Sequence, residues 1–421
     1  MADPYGSPLA AELEADVLDR LVRYARIDTQ SARVSDTYPS TLKQLELSRL
    51  LVEELRALGL DEVELTEHGY VFATLPAVGV ENGPTVGLIA HVDTSPDAPA
   101  TGVDPQVWSA YDGGEIVLPG DHARVLSPEA SPRLAERIGH DIVTSDGTTL
   151  LGADDKAGVA EIMAAAAWLL AHPEIPRARA RIGFTVDEEV GHGTDHFDLE
   201  AFGADFAFTL DGEVVGEIEN ETFSAIELKV TFEGVGVHPG LAKGKLVNPV
   251  KYAARFVESL PANGLSPETT DGKEGFVHPY EIAGGAGGVT VTLIVRDHDG
   301  EKLEEHYALA CRLAEEAVAD EPRAGVSFER WDQYRNMREA LDAVPNVIEA
   351  AMEATRRAGL EPTLASIRGG TDGSRLTEMG LPTPNLFTGG NLFHSVLEWV
   401  SVQDMAISAA TAIELLKLLA E

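Results

Sequence analysis

The chain has 421 residues, with 32 Lys and Arg against 70 Asp and Glu, a formal net charge of −38, and a composition 44% hydrophobic and 24% charged. The apolar share excludes wholesale disorder, and the length calls for more than one domain with its own core. The acidic balance argues against a nucleic-acid partner, because phosphate recognition needs a basic stripe.

Cys311 is the only cysteine, which excludes an intrachain disulfide and thiolate metal sites, so any metal must be held by His and carboxylates. The opening segment Met1 to Pro8 lacks a basic region followed by an apolar one, and the longest apolar stretch, Ile162 to Ala171, is too short to span a bilayer. A cytoplasmic protein without a membrane partner is the expectation.

In chain order, Ala10 to Ala25 and Ser40 to Leu58 repeat apolar residues at helical spacing, and Pro84 to Ala90 is a near-continuous apolar run of buried-strand type. Val159 to Leu170 reads as a helix, Ala178 to Val186 and Ala204 to Leu210 as strands. This alternation predicts an α/β sheet covered on both faces, with chemistry collecting at the carboxyl ends of its strands. Near Thr222 the pattern changes. Phe223 to Phe232 alternates apolar and polar, Val247 to Leu260 is helical, Gly287 to Val295 alternates again, Lys302 to Ala319 is helical, and Val326 to Trp331 is a closing strand. From about Met337 helix, strand and helix resume, with helices at Ile348 to Ala358 and Met405 to Ala420. The predicted architecture is a discontinuous α/β catalytic domain over 1–221 and 337–421, with a smaller α+β domain inserted at 222–336. Gly284 to Gly288 reads as a flexible turn.

Five clusters carry hard-ligand chemistry where strands end. In His91-Val92-Asp93-Thr94 the His and Asp project to the same side of extended backbone, so the carboxylate could bond one ring nitrogen while the other meets a metal; a hydrogen-bonded surface pair is the alternative. Asp154-Asp155, within Gly152 to Gly158, stand at a helix start, either complementing its dipole or turning one carboxylate toward two cations. Asp187-Glu188-Glu189 end a buried strand, and three such carboxylates repel unless the loop is solvated or cations lie among them. Asp211 closes another apolar strand and reads alone as a turn former, and His394, with Glu398 four residues on, as a loop histidine. Together they supply the two His and three or more carboxylates that a two-cation hydrolase site needs.

These motifs, with His238-Pro239-Gly240, resemble the signature set of the co-catalytic zinc peptidases that include carboxypeptidase G and aminoacylase. Longer strings, such as Arg296-Asp297-His298-Asp299, Asn336-Met337-Arg338-Glu339 and Ile367 to Gly373, extend the resemblance over nearly the whole chain and point within that family to tripeptide aminopeptidases. The resemblance implies two Zn2+ ions per subunit. His91 and Asp211 would hold one ion, Glu189 and His394 the other, and Asp154 would bridge them. It further implies that Asp93 orients His91, that Glu188 is the general base and that His238, in the inserted lid domain, steadies the carbonyl oxygen. Arg296, Asn248 and Arg368 resemble groups that hold substrate termini, and the lid domain implies a possible homodimer. Two positions depart from the family pattern: Val396-Leu397 replace a Lys-His pair after the last histidine, and Glu213 stands where Gly is usual. The expected activity is metal-dependent release of the N-terminal residue from tripeptides. The alternatives are a dipeptidase or N-acyl amino acid deacylase with the same ligands, or a non-catalytic peptide-binding homologue.

Overall fold

The computed structural model describes residues 4–421; Met1 to Asp3 of the opening segment lie outside the described residues. The chain divides into two units. The first runs through Asn220 and resumes as Glu339–Ala365 and Thr371–Glu421; the second comprises Glu221–Arg338 with Ser366–Gly370.

The first unit is built on an eight-stranded sheet in the order Asp61–Leu65, Val71–Leu75, Arg179–Thr185, Thr85–His91, Phe206–Gly212, Asn385–Phe387, Glu217–Thr222, Thr363–Ile367. The four strands in positions three to six run parallel, so their carboxyl ends lie side by side. Val86 to His91 are buried without a break, the pattern of a strand covered on both faces, and the near-continuous apolar run of the sequence is its direct consequence.

Helix Ala153–Ala171 is buried on nearly every side and lies close to the sheet. A Cβ on Gly158 would come 1.9 Å from the carbonyl oxygen of Leu210, so only glycine permits that approach. The helix begins at Ala153 rather than Val159, which puts the Asp154-Asp155 pair in its first turn. Helix Gln44–Leu58 starts four residues later than the periodicity suggests, because Ser40 serves another partner. Pro8–Ala25 and Val402–Leu418 are capped at their starts by Ser7 and Ser401.

A four-stranded sheet of short segments, ordered Gly390–Asn391, Trp399–Ser401, Ile142–Thr144, Gln106–Trp108, was not foreseen. Runs of two or three residues carry no period to read. Pairing of Gly390 with Val400 and of Asn391 with Trp399 closes the 392–398 segment into a loop.

The second unit is an antiparallel sheet in the order Phe276–Gly285, Gly288–Asp297, Ser224–Glu233, Gly325–Tyr334, with helices Pro249–Ser259 and Gly300–Val318. Ile226, Leu228, Val230 and Phe232, alternate residues of one strand, pack with Val291, Leu293, Phe256 and Ala310 in its core. The glycine-rich run is a tight hairpin: Gly285 pairs with Gly288 across Ala286-Gly287, and Gly284 has φ +126. The expected α/β domain with an inserted α+β unit is the architecture found. Ser366–Gly370, assigned from sequence to the resumed catalytic stretch, groups with the second unit. The reason is Arg368, whose guanidinium bonds the carbonyls of Gly272 and Glu274 and the hydroxyl of Thr270.

Candidate active site

The carboxyl ends of the parallel strands carry His91, Glu189 and Asp211, and these meet Asp154 from the start of helix Ala153–Ala171 and His394 from the 392–398 loop. His91 Nε2 lies 3.0 Å from Asp154 Oδ1 and 3.7 Å from Asp211 Oδ1. His394 Nε2 lies 3.1 Å from Asp154 Oδ2 and 2.8 Å from Glu189 Oε2. Asp154 therefore turns one oxygen to each histidine. His91, Asp154 and Asp211 form one group and Asp154, Glu189 and His394 another, the ligand atoms of each lying within 4.8 Å of one another.

Hydrogen bonds to the backbone hold these side chains in place. His91 Nδ1 donates to the Asp93 carbonyl at 3.1 Å, with Asp93 Oδ1 at 3.3 Å, so Nε2, toward Asp154, is the ring nitrogen left to meet a cation. The Asp93 carboxylate also accepts the backbone N–H groups of Glu188 and Glu189, at 3.1 and 3.3 Å. Buried Asp155 accepts the backbone N–H of His91 and that of Gly158. Lys156, equally buried, donates to the carbonyl of Ile27 at 2.7 Å.

Two ligand loops contain non-glycine residues in left-handed backbone, Asp187 at φ +59 and His394 at φ +59. Such conformations persist where surroundings over-determine them. Asp187 is held by Ser40 and Gln44. Its carboxylate accepts the Ser40 N–H and hydroxyl at 2.5 Å each and the Gln44 amide at 2.6 Å, while its own N–H donates to Gln44 Oε1 at 3.1 Å. Sequence reading missed Ser40, Gln44 and Asp187 as a unit, since nothing local joins residues so far apart.

The electrostatics call for positive charge. Burial pushes Glu188 well above the usual carboxylate range, with Asp211 and Glu189 adding to the shift, and pushes Glu189 up to about 8. Burial also raises Asp211 and lifts nearby Asp372 to about 7. Burial opposes a charged His394, but hydrogen bonds to Asp154 and Glu189 outweigh it and raise the ring to about 11. Burial likewise opposes a charged His91, and Asp154, Asp211 and Asp93 carry its pKa well above the ordinary value. Those two histidines hold Asp154 below the usual range despite its burial.

The donor set fits two divalent cations. It consists of imidazole nitrogens and carboxylate oxygens only, one carboxylate is shared, and Glu189 Oε1 is buried with no hydrogen-bond partner.

The remaining expected site residues belong to the second unit. Exposed His238 accepts the Gly240 N–H on Nδ1 at 3.2 Å, which leaves the neutral ring's proton on Nε2. Asn248 caps helix Pro249–Ser259, its Oδ1 accepting the Val250 N–H at 3.1 Å. Arg296 donates from Nη1 to the Arg368 carbonyl at 3.1 Å, lies over the rings of Phe276 and Tyr334, and has a buried Nε without a partner. Arg368 is committed to the 270–274 loop and lies over Phe223 and Phe276.

The two departures from the family pattern have local explanations. Leu397 packs against the cluster of Tyr111, Ile116, Leu118 and Trp399 and extends that small core. Glu213 pairs with Arg133 at 3.0 Å on partly exposed surface, where such a bridge contributes about 0–1 kcal/mol.

Among known proteins, the family description "Peptidase dimerisation domain" matches residues 220–321. The chain is 48% identical over 410 residues to peptidase T of Geobacillus thermodenitrificans, covering 96% of this chain and 98% of that one. Peptidase T of Shouchella clausii is 46% identical over 409 residues, covering 97% and 99%. Among solved structures, aminopeptidase PepT from Bacillus cereus superposes with a TM-score of 0.74 at 23% identity, covering 97% of this chain and 99% of that one. A tripeptidase from Staphylococcus aureus gives 0.76 at 22%, covering 97% and 98%. A dinuclear metal-binding peptidase from Bacillus subtilis gives 0.64 at 15%, covering 97% and 98%. Identities this low establish the shared fold alone.

Proposed function

The chain belongs to the peptidase T family, and from that premise we propose that it is a dinuclear metallopeptidase releasing the N-terminal residue of tripeptides. The observation that carries this reading is Asp154, whose two oxygens face two histidines, His91 at a strand end and His394 in a loop.

His91 and Asp211 would hold one ion, Glu189 and His394 the other, with Asp154 shared. The ions, when bound, supply Lewis-acid polarisation of the scissile carbonyl and make water acidic enough to attack it near neutral pH. Glu188, on the loop that Asp93 grips by its backbone, accepts the proton of the attacking water and returns it to the leaving amine. Asp93 keeps His91 in the tautomer that presents Nε2. His238 offers an Nε2–H donor for the carbonyl oxygen as charge builds there.

Of the two arginines, Arg296 is better suited than Arg368 to a terminal carboxylate. Arg296 retains an unpartnered N–H, whereas Arg368 is engaged in the 270–274 loop and braces Arg296 through its carbonyl. Asn248 acts through its helix cap. We assign Zn2+ as the metal from the nitrogen and oxygen donor set. The matched dimerisation domain supports a homodimer. No helix among the described residues is long and apolar enough to cross a membrane, which fits the cytoplasmic location we propose.

A panel of matched di-, tri- and tetrapeptides tests the substrate class. The tripeptide should have the highest kcat/KM, with only its N-terminal residue released first. Faster dipeptide cleavage would make the enzyme a dipeptidase, and cleavage of N-acyl amino acids alone would make it a deacylase.

A further inference from the structure

Asp154 is the only residue shared by both ligand groups, yet helical hydrogen bonding does not fix it. Its φ −82 and ψ 103 lie outside helical geometry although it stands in the first turn of helix Ala153–Ala171, and Asp155 beside it is also non-helical. Something else must hold the backbone that presents it.

That support comes from the far end of the chain. Glu398, 1% exposed, places Oε2 2.8 Å from the Leu151 N–H and 2.7 Å from the Gly152 N–H, and Oε1 3.0 Å from the Asp154 N–H. Three backbone donors from four consecutive residues thus converge on one buried carboxylate, an arrangement that compensates a desolvated negative charge. Gly152 has φ +79, a conformation that lets its N–H join the other two. Glu398 also closes the loop that carries His394, four residues earlier, in the turn pinned by Ser395, whose hydroxyl donates to Leu392 and accepts the Leu397 N–H. One side chain therefore ties the segment bearing the shared ligand to the loop bearing a ligand of the second group.

We propose that Glu398 is a positioning residue for the dinuclear centre, its carboxylate fixing the backbone that aims Asp154 at both ligand groups and locking it to the His394 loop. The proposal rests on the metallopeptidase reading above. It requires that loss of Glu398 weaken both ions together, because the ligand it aims serves both. A glutamine there would keep the size but replace one acceptor oxygen with an NH2 group pointed at backbone donors.

The test is metal titration of full-length protein stripped by chelator, with Zn2+ followed by calorimetry and Co2+ by visible absorption. Wild type, Glu398→Gln, Glu398→Asp and Asp404→Asn are compared. Asp404 is an equally buried carboxylate, ten residues after His394, whose partner is Arg137 at 2.5 Å rather than the backbone carrying Asp154. Glu398→Gln should weaken binding at both sites by about 10–100-fold, the usual effect of losing a group that orients metal ligands. Glu398→Asp, which keeps the charge but is one methylene short, should lose less, and it decides the matter if the Gln variant does not fold. Asp404→Asn should lower thermal stability and leave both affinities as in wild type. Glu398 variants that lose thermal stability but bind both ions like wild type would overturn the proposal, as would weakening at only one site. Failure of wild type to bind either ion would instead overturn the metallopeptidase reading beneath it.

Discussion

Asp93 Oδ1 accepts the backbone N–H of Glu188 at 3.1 Å. A residue expected from sequence to orient a histidine thus also grips the loop carrying the proposed general base. Asp93→Asn, with one acceptor oxygen where the carboxylate offers two, should lower kcat by about 10–100-fold, the range typical of groups that orient ligands and bases. Steady-state kinetics beside metal content checks this. A variant with normal turnover would show that the Asp93 contacts are incidental.

Glu188 and Glu189 are neighbours in sequence with different proposed tasks. Glu188→Gln should retain near-normal metal content while kcat falls by about 10²–10⁴-fold, as when a general base is removed. Glu189→Ala should lose an ion, since Glu189 faces His394 at 2.8 Å. If both variants gave the same metal content and the same turnover, the division of labour would be wrong.

Glu219 offers a pH test independent of catalysis. It is 6% exposed and accepts a hydrogen bond from Asn385 at 2.9 Å, and burial pushes its pKa from 4.5 up to about 8. Between those values the folded chain keeps a proton that the unfolded chain has released. Glu219 therefore contributes stability below pH 4.5 that is lost as pH rises toward 8. Glu219→Gln removes this titration, so its stability relative to wild type should increase with pH across the window and level off above it. Denaturant unfolding of both proteins at several pH values measures the difference, and a constant difference would contradict the assignment.

The two arginines make a prediction about the substrate's carboxyl end. Arg296→Ala should raise KM about 10-fold or more for tripeptides with a free C-terminus, the scale of a lost charge-assisted hydrogen bond. It should leave KM for the matching C-terminal amides nearly unchanged. Equal effects on both substrates would remove Arg296 from contact with the carboxylate.

Much of this site was legible because its ligands end strands. The apolar runs before His91 and Asp211 identified the strands Thr85–His91 and Phe206–Gly212 directly. The supporting contacts were not legible. Gln44 meets Asp187, and Glu398 meets Leu151, Gly152 and Asp154, across separations that only the fold brings together. The Ser40 to Leu58 run reads as one helix, but the Ser40 hydroxyl donates to the buried Asp187 carboxylate and the helix starts at Gln44. Asn248, which resembles a substrate-holding group, also has its Oδ1 engaged as a helix cap.

The most direct test of the central claim is a Zn2+ titration of chelator-stripped enzyme in which bound metal and tripeptide turnover are followed together. The arrangement around Asp154 predicts no turnover in stripped protein, with activity rising to a plateau at two bound ions per chain. Full tripeptide turnover by metal-stripped enzyme, or a plateau unrelated to bound metal, would contradict it.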